Sequence, residues 1–495
     1  MSTDKFIPTP AGTPIAAPTS VQSFMRRQVF PRAPVTNDSW SGGREAHFSF
    51  RASGTDCFVA TQSRLVLKMH VRSNIAEAGG ELAGVPAGDT HKRPSLESVR
   101  LAQDPVARAF SSARLSLGGV TVTNTGADVQ DIATLIGRTQ GTKPGGAAGG
   151  SAGMVGFDDR MFQREETESA DVANLTFTAQ AERNPKQDIL LEALGQEFEV
   201  STPLGNLIPF FMQDKTYMRN TEFDVRFVVS SHFDTDMLVT KAVPATARNR
   251  GIEVTQDGTT AAIADAVNRT VPQLLPAIAA AGANTHKIVV TDCFIDACFA
   301  TPSAPLPPLR SMQIPFSDIT LYTRPLAANQ TSFTETFSGI PPSTSAVIVA
   351  LRSETHGLAA DRERYLLGGS GSGFKNFQLT AGQFVAPQPS YNLNFPNRNA
   401  SRAMADFVDF VGGSARDGAG AFSYNEYCDA PILCFRLLQP KGTYSPTATA
   451  RIELLAGAAA NTTLLVACVH QRALEMFWAD GGDLPTQVTV DEVIA

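Results

Sequence analysis

Phe198-Glu199-Val200-Ser201-Thr202-Pro203-Leu204-Gly205-Asn206-Leu207-Ile208-Pro209-Phe210-Phe211, followed from Thr221 by Glu222-Phe223-Asp224-Val225-Arg226-Phe227-Val228-Val229, decides the fold class of this 495-residue chain. In the second run Phe223, Val225, Phe227 and Val229 fall on one side, and Glu222, Asp224 and Arg226 on the other. A period of two is the signature of a half-buried antiparallel strand. Phe198 and Val200 alternate with Glu197 and Glu199 in the same way. Between the two runs, Pro203 to Phe211 forms a corner with breakers at both ends, too apolar for an exposed turn. It is expected to plug one end of a β-sandwich. No catalytic residue type is concentrated there, so the stretch reads as built for shape.

Composition agrees. Apolar residues make up 43% of the chain, which places it among globular proteins, and 39 Gly with 31 Pro imply many turns and long loops. A mass of 52.7 kDa leaves room for two or three cores. The net charge of −7 argues against a dominant non-specific grip on nucleic acid while leaving room for a local basic patch. The six cysteines (57, 293, 298, 428, 434 and 468) sit mostly in apolar runs and are expected to be reduced, buried thiols. Met1 leads into Pro, Thr and Ala rather than a signal peptide, and no apolar run reaches the ~20 residues of a membrane span. The expectation is a soluble protein made in the cytosol.

Outward from the deciding stretch, the chain falls into an arm at 1–39, a first sandwich at 40–300, a Pro-rich linker at 301–310 and a second sandwich at 311–495. The arm is rich in Pro, Thr and Ala. Its apolar residues Phe24, Met25, Val29 and Phe30 lie beside Arg26, Arg27 and Arg32, which makes Phe24, Met25, Arg26, Arg27 and Phe30 the candidate interaction residues. A frayed tail is the alternative.

Strand signals run at Ala46–Phe50, Leu65–Val71, Arg114–Thr123 (a hairpin around Gly118-Gly119), Leu175–Phe177 and Thr285–Val290. Val129, Ile132, Leu135 and Ile136 keep the spacing of a helix face, and Thr259–Ala281 reads as a helical insertion. The second half repeats this grammar with short strands around Ile319, Val347, Phe377, Leu433, Ile452 and Leu464. One helix carries Met404, Phe407, Val408 and Val411, with Ser401 as its expected cap. Residues 73–108, 142–156 and 355–375 read as loops, the Gly-rich 142–156 as a mobile one.

Catalytic chemistry is not legible. Gly149-Gly150-Ser151-Ala152-Gly153 fits Gly-x-Ser-x-Gly but sits in low-complexity sequence rather than on a strand-to-helix turn. The Gly368–Gly373 run lacks the Gly-Lys-Ser/Thr of a P-loop. The cysteine pairs are spaced too widely for structural zinc, and the seven histidines are scattered. No catalytic residue, metal site or cofactor is expected.

The corner at 198–211 and the strand after it resemble the apolar-Pro-Leu-x-x-Leu-aromatic corner of double jelly-roll major capsid proteins from eukaryotic double-stranded DNA viruses. Those of polintons, adintovirus-like elements and virophages, related to the adenovirus hexon lineage, are the nearest in pattern. Ala113–Val120 is similar to that family's early hairpin, and Phe377–Phe395 with the helix at 401–411 to its second-domain segment. The resemblance implies an all-β fold of two consecutive eight-stranded jelly rolls. It implies homotrimers that form pseudo-hexagonal capsomers of an icosahedral virion, with penton and minor capsid proteins as further partners and no sequence-specific nucleic acid. The alternative is a receptor- or carbohydrate-binding β-sandwich of a spike or penton-like subunit; only Trp40 and Trp478 are available for its aromatic platform.

Overall fold

The structure, a computed structural model, describes residues 21–33, 40–73, 99–101, 105–126, 128–139, 197–212, 217–240, 286–304, 306, 310–353, 373–382, 384–411, 424–429, 431–436, 446–458, 462–479, 482 and 484–492. The expected loop at 142–156, the strand at Leu175–Phe177, the helical insertion at 259–281 and most of the loops at 73–108 and 355–375 lie outside them.

The first half carries β1 (Val21–Val29), β2 (Glu45–Ala52), β3 (Cys57–Val59), β4 (Arg64–Ser73), β5 (Val99–Leu101), α1 (Pro105–Arg108), β6 (Phe110–Leu117), β7 (Val120–Asn124), α2 (Val129–Thr139) and β8 (Phe198–Pro203). It continues with α3 (Leu204–Leu207), β9 (Tyr217–Met218), β10 (Thr221–Val229), α4 (Phe233–Asp236), β11 (Leu238–Thr240) and β12 (His286–Pro302). The second half carries β13 (Ser311–Pro325), β14 (Ser332–Ser338), β15 (Thr344–Ser353), β16 (Phe374–Ala381), β17 (Phe384–Ala386), α5 (Ser401–Val411) and α6 (Tyr424–Asp429). It ends with β18 (Leu433–Arg436), β19 (Thr447–Leu454), β20 (Thr462–Phe477) and β21 (Gln487–Glu492).

The two halves have one topology. In the first, β8, β4 and β12 are neighbours, and β1 lies along β12 on the side away from β4, because Ile295 and Asp296 pair with both. Its facing sheet runs β2-β10-β6-β7. In the second, β18-β15-β20-β13 faces β14-β19-β16-β17. Strand for strand the two orders correspond, each with a helix of 11 residues, α2 or α5, in the connection to its eighth jelly-roll neighbour β8 or β18. These are two consecutive jelly-roll sandwiches, with β3, β9 and β21 added at strand ends.

The deciding stretch folds as its pattern requires. β10 buries Phe223, Val225, Phe227 and Val229 and sits centrally between β2 and β6. The corner is α3 followed by a 3₁₀ turn at Pro209–Met212, with Leu204, Leu207, Ile208, Phe210 and Phe211 all buried. Phe211 meets Phe58 and Phe223 inside the first sandwich, whereas Phe210 meets Phe316 of the second half at 5.0 Å. The corner is therefore a wedge between the halves as well as a plug.

Three differences from the sequence reading have physical causes. β12, β13 and β20 span 17, 15 and 16 residues, far longer than the short segments their alternation marked. In β12 a register shift between Val290 and Asp292 interrupts the period of two. Ser401 is the first residue of α5 rather than a residue before it. And the described part of the expected arm is largely a strand: β1 pairs along β12, and Val29 belongs to the first core, so that core begins before residue 40.

A candidate assembly surface and the joint between the halves

The halves are joined by exchanged apolar residues. The first core takes in Met312, Ile314 and Phe316 of β13 with Leu474, Met476 and Trp478 at the end of β20. The second core takes in Ile132, Leu135 and Ile136 of α2. Burial of this kind contributes about 1.5–3 kcal/mol per large side chain, so the joint is rigid rather than hinged.

Charged groups are buried in the same joint. The Arg352 guanidinium of β15 donates to the Asp131 carboxylate of α2, and Asp131 is 2% exposed. Arg472 of β20 donates from Nη1 to the Val122 carbonyl of β7 at 2.8 Å and to Asp318 Oδ2 at 2.9 Å, and its Cζ lies 5.7 Å from the Phe316 ring centroid. The Trp478 indole donates to the Asn220 carbonyl at 3.0 Å. Burial pushes the Asp318 carboxyl up, against the pull of His470 and Arg472 beside it. Asp128, just before α2, is pushed up to about 6 by burial and by the Asp131 carboxylate, with Arg352 opposing.

The outer face of β2 and β10 behaves differently. His47 Nε2 lies 2.9 Å from Asp224 Oδ2, and Arg226 Nε donates to Asp224 Oδ1 at 2.7 Å. Burial would raise Asp224, but the hydrogen bonds from Arg226 and His47 outweigh it and hold this carboxyl below the usual range. The network has a base and an acid in contact but lies on a sheet face, with no nucleophile in it.

The five residues singled out in the arm lie on or beside β1. Arg26 pairs with Asp296, and the Cζ of Arg27 sits 4.9 Å from the Phe299 ring centroid. Phe30 packs 5.6 Å from Phe294. Phe24, Met25 and Phe30 are nonetheless 52%, 41% and 52% exposed, which makes them three of the five exposed large apolar residues among those described; Phe477 and Leu484 are the others. Seven consecutive residues of β1 are exposed, and among the described residues β1 pairs with β12 alone. Long exposed apolar edge strands are avoided in monomeric proteins.

A cavity of about 330 Å³ opens in the second half between β17, α5 and β18, with Pro387, Phe410 and Phe435 against Arg402, Asp406 and Asp409. Its polar groups are tied into the fold: Tyr391 donates to Asp406, Arg402 to the Pro389 carbonyl at 2.6 Å, and Arg436 to the Asp409 carbonyl at the end of α5 at 3.2 Å. All six cysteines are buried free thiols, and burial pushes Cys293, Cys434 and Cys468 up, away from reactive thiolate. Among the described residues no group of three or more His, Cys, Asp or Glu is placed to hold a metal, and no helix is long and apolar enough to cross a membrane. Ser151 lies outside the described residues. The joint residues Asp131, Arg352, Asp318 and Arg472 carried no sequence signal, since the members of each pair stand 221 and 154 positions apart.

No family model and no curated protein matches the chain. Among solved structures it is similar to a chain of the Sputnik virophage, from its cryo-EM structure, with 10% identity over 98% of this chain and 91% of that one and a TM-score of 0.52. It is also similar to the mavirus major capsid protein, at 11% identity, 99% and 93% coverage and TM-score 0.47. A third is the Faustovirus major capsid protein, at 8% identity, 95% and 92% coverage and TM-score 0.45. The likeness to the Sputnik chain runs nearly end to end and is a likeness of fold.

Proposed function

We propose that this protein is the major structural subunit of an icosahedral capsid of a double-stranded DNA virus. Three copies would close into a pseudo-hexagonal capsomer. The observation that carries the proposal is the repetition of one jelly-roll topology twice in a chain, locked by a buried joint. A rigid pair of similar sandwiches lets a threefold ring present six similar sides, the geometry a closed lattice needs. The fold shared over nearly the whole length with a virophage chain supports this. The role is structural rather than enzymatic: the conspicuous titratable groups brace the joint or lie on an open sheet face.

In this proposal the chain divides in the Pro-rich segment, between the end of β12 at Pro302 and the start of β13 at Ser311, and β1 counts with the first sandwich. Phe24, Met25, Arg26, Arg27 and Phe30 face a neighbouring subunit. Penton and minor capsid proteins complete the shell, and the subunit, made in the host cytoplasm, ends in the virion. Stable contacts of this kind bury at least ~1,600 Å² each. Electron microscopy and sedimentation of the purified protein test the proposal. Threefold particles with a hexagonal outline are expected, and monomers persisting at high concentration and neutral pH would exclude it.

A further inference from the structure

α2 is a helix that both sandwiches share. Val129 and Ala133 pack in the first core, and Ile132, Leu135 and Ile136 in the second. Whatever seats its first turn therefore helps to seat one half on the other. At that turn one cation meets two acids. Asp131 is buried and takes the Arg352 guanidinium from β15. Asp128, half-buried and one position before the helix, has a fixed backbone: its N–H donates to the Thr125 carbonyl at 3.2 Å, and its carbonyl accepts from the Ile132 N–H at 3.0 Å. Its carboxyl makes no hydrogen bond or ion pair among the described residues.

Asp131 and Arg352 are the charges that act on Asp128. Of the other elements packed against α2, α1 brings Arg108, β6 brings Arg114, which donates to Thr121, and α3 brings no titratable residue. A helix N-terminus favours an anion, but Asp131 already fills that role together with Arg352. A second carboxylate, partly out of water and beside the first, has no cation of its own and is repelled. As an uncharged acid Asp128 meets no such repulsion.

We infer that the seat of α2 is a proton-operated latch: Asp128 in its acid form holds the first turn of α2 against β15, and loss of that proton loosens the turn while both cores stay packed. The joint is then tightest in mildly acidic medium and looser at neutral pH. The sign follows from the raised Asp128 carboxyl, because the closed turn binds the proton more tightly than the open one. The latch lies within one chain and needs no second copy.

Amide hydrogen exchange of the full-length protein tests it, expressed as protection factors so that the intrinsic pH dependence of exchange is removed. An opening that returns Asp128 from about 6 to the ordinary carboxylate value near 4 should lower the protection of the α2 amides about tenfold between pH 5 and pH 7. β10, from Thr221 to Val229, should keep its protection. In Asp128→Asn and Asp128→Ser, which have no carboxyl there, α2 should be equally protected at both pH values. Asp318 and His470, the other titratable pair of the joint, are untouched by these changes. A loss that persists in both variants would therefore belong to that pair and overturn the latch. Equal protection of α2 at pH 5 and pH 7 in the wild type, or a loss shared equally by β10, would overturn it as well.

Discussion

β13 and β1 hold the same place in their sandwiches and have opposite fates. β13 carries Phe316, fully buried against Phe210, while β1 carries Phe24, half exposed. Among the described residues, only β13 has a cover. The difference teaches that a duplicated fold need not have duplicated surroundings.

The largest effect should come from breaking the covered side. Phe316→Ala removes a fully buried ring at the joint and should cost about 3–5 kcal/mol, read as a lowered denaturation midpoint. Phe24→Ala, at the corresponding strand, should change the unfolding of the monomer by less than about 0.5 kcal/mol. Equal losses at both sites would contradict the distinction between them.

The ion pairs should follow the same order. Arg352→Ala strips a buried carboxylate, Asp131, of its guanidinium and should cost about 3 kcal/mol. Arg26→Ala breaks an exposed pair with Asp296 and should cost the monomer less than about 1 kcal/mol. Chemical denaturation of both variants at neutral pH makes the comparison.

pH sharpens it further. The Asp128 carboxyl stands at about 6 in the folded protein and near 4 when unfolded, so the folded state holds the extra proton between those values. Its contribution to stability is fully present below about pH 4 and is lost as pH rises to about 6. Asp224 runs the other way: its depressed value stabilises the fold above the ordinary carboxylate range and is lost as pH falls through the depressed one. Asp128→Asn keeps a side chain able to cap α2 and should flatten the leg between pH 4 and 6, measured as denaturation midpoint against pH. An unchanged leg would mean that Asp128 is not responsible for it.

The smallest contrast lies within one turn. Gly118 and Gly119 link β6 to β7 at φ +53° and +83°, and a Cβ on Gly118 would sit 2.8 Å from Val488 Cγ2 of β21, whereas one on Gly119 meets nothing within 4 Å. Both alanine variants carry the strain of left-handed backbone, about 1 kcal/mol. Gly118→Ala adds a clash with the second half, so its melting temperature should fall further than that of Gly119→Ala.

Much of the fold was legible because its strands are half buried. Alternation marked β2, β4, β10, β16 and β19, and the Gly-Gly turn marked the hairpin of β6 and β7. β1 was not legible, because a strand exposed on nearly every residue writes no alternation, and Val21-Gln22-Ser23-Phe24-Met25-Arg26-Arg27 looks like an arm. The three-and-four spacing of α2 disclosed a helix but not its allegiance. Val129 serves the first core, while Ile132, Leu135 and Ile136 serve the second. The charged joint was illegible for a different reason: a lone Asp or Arg in a strand carries no sign of a partner hundreds of residues away.

The contribution of Leu474, Met476 and Trp478 to the first core also fixes an order of events during synthesis. At about 5–20 residues per second, the ribosome reaches Trp478 roughly nine to thirty-five seconds after it has finished β12. Until then only β13, through Met312, Ile314 and Phe316, is available from the second half to cover that end of the first core. The carboxyl-terminal strands are therefore the lock on the amino-terminal sandwich. A chain truncated before β20 should appear in the cell as a target for chaperones and proteases rather than as a folded half.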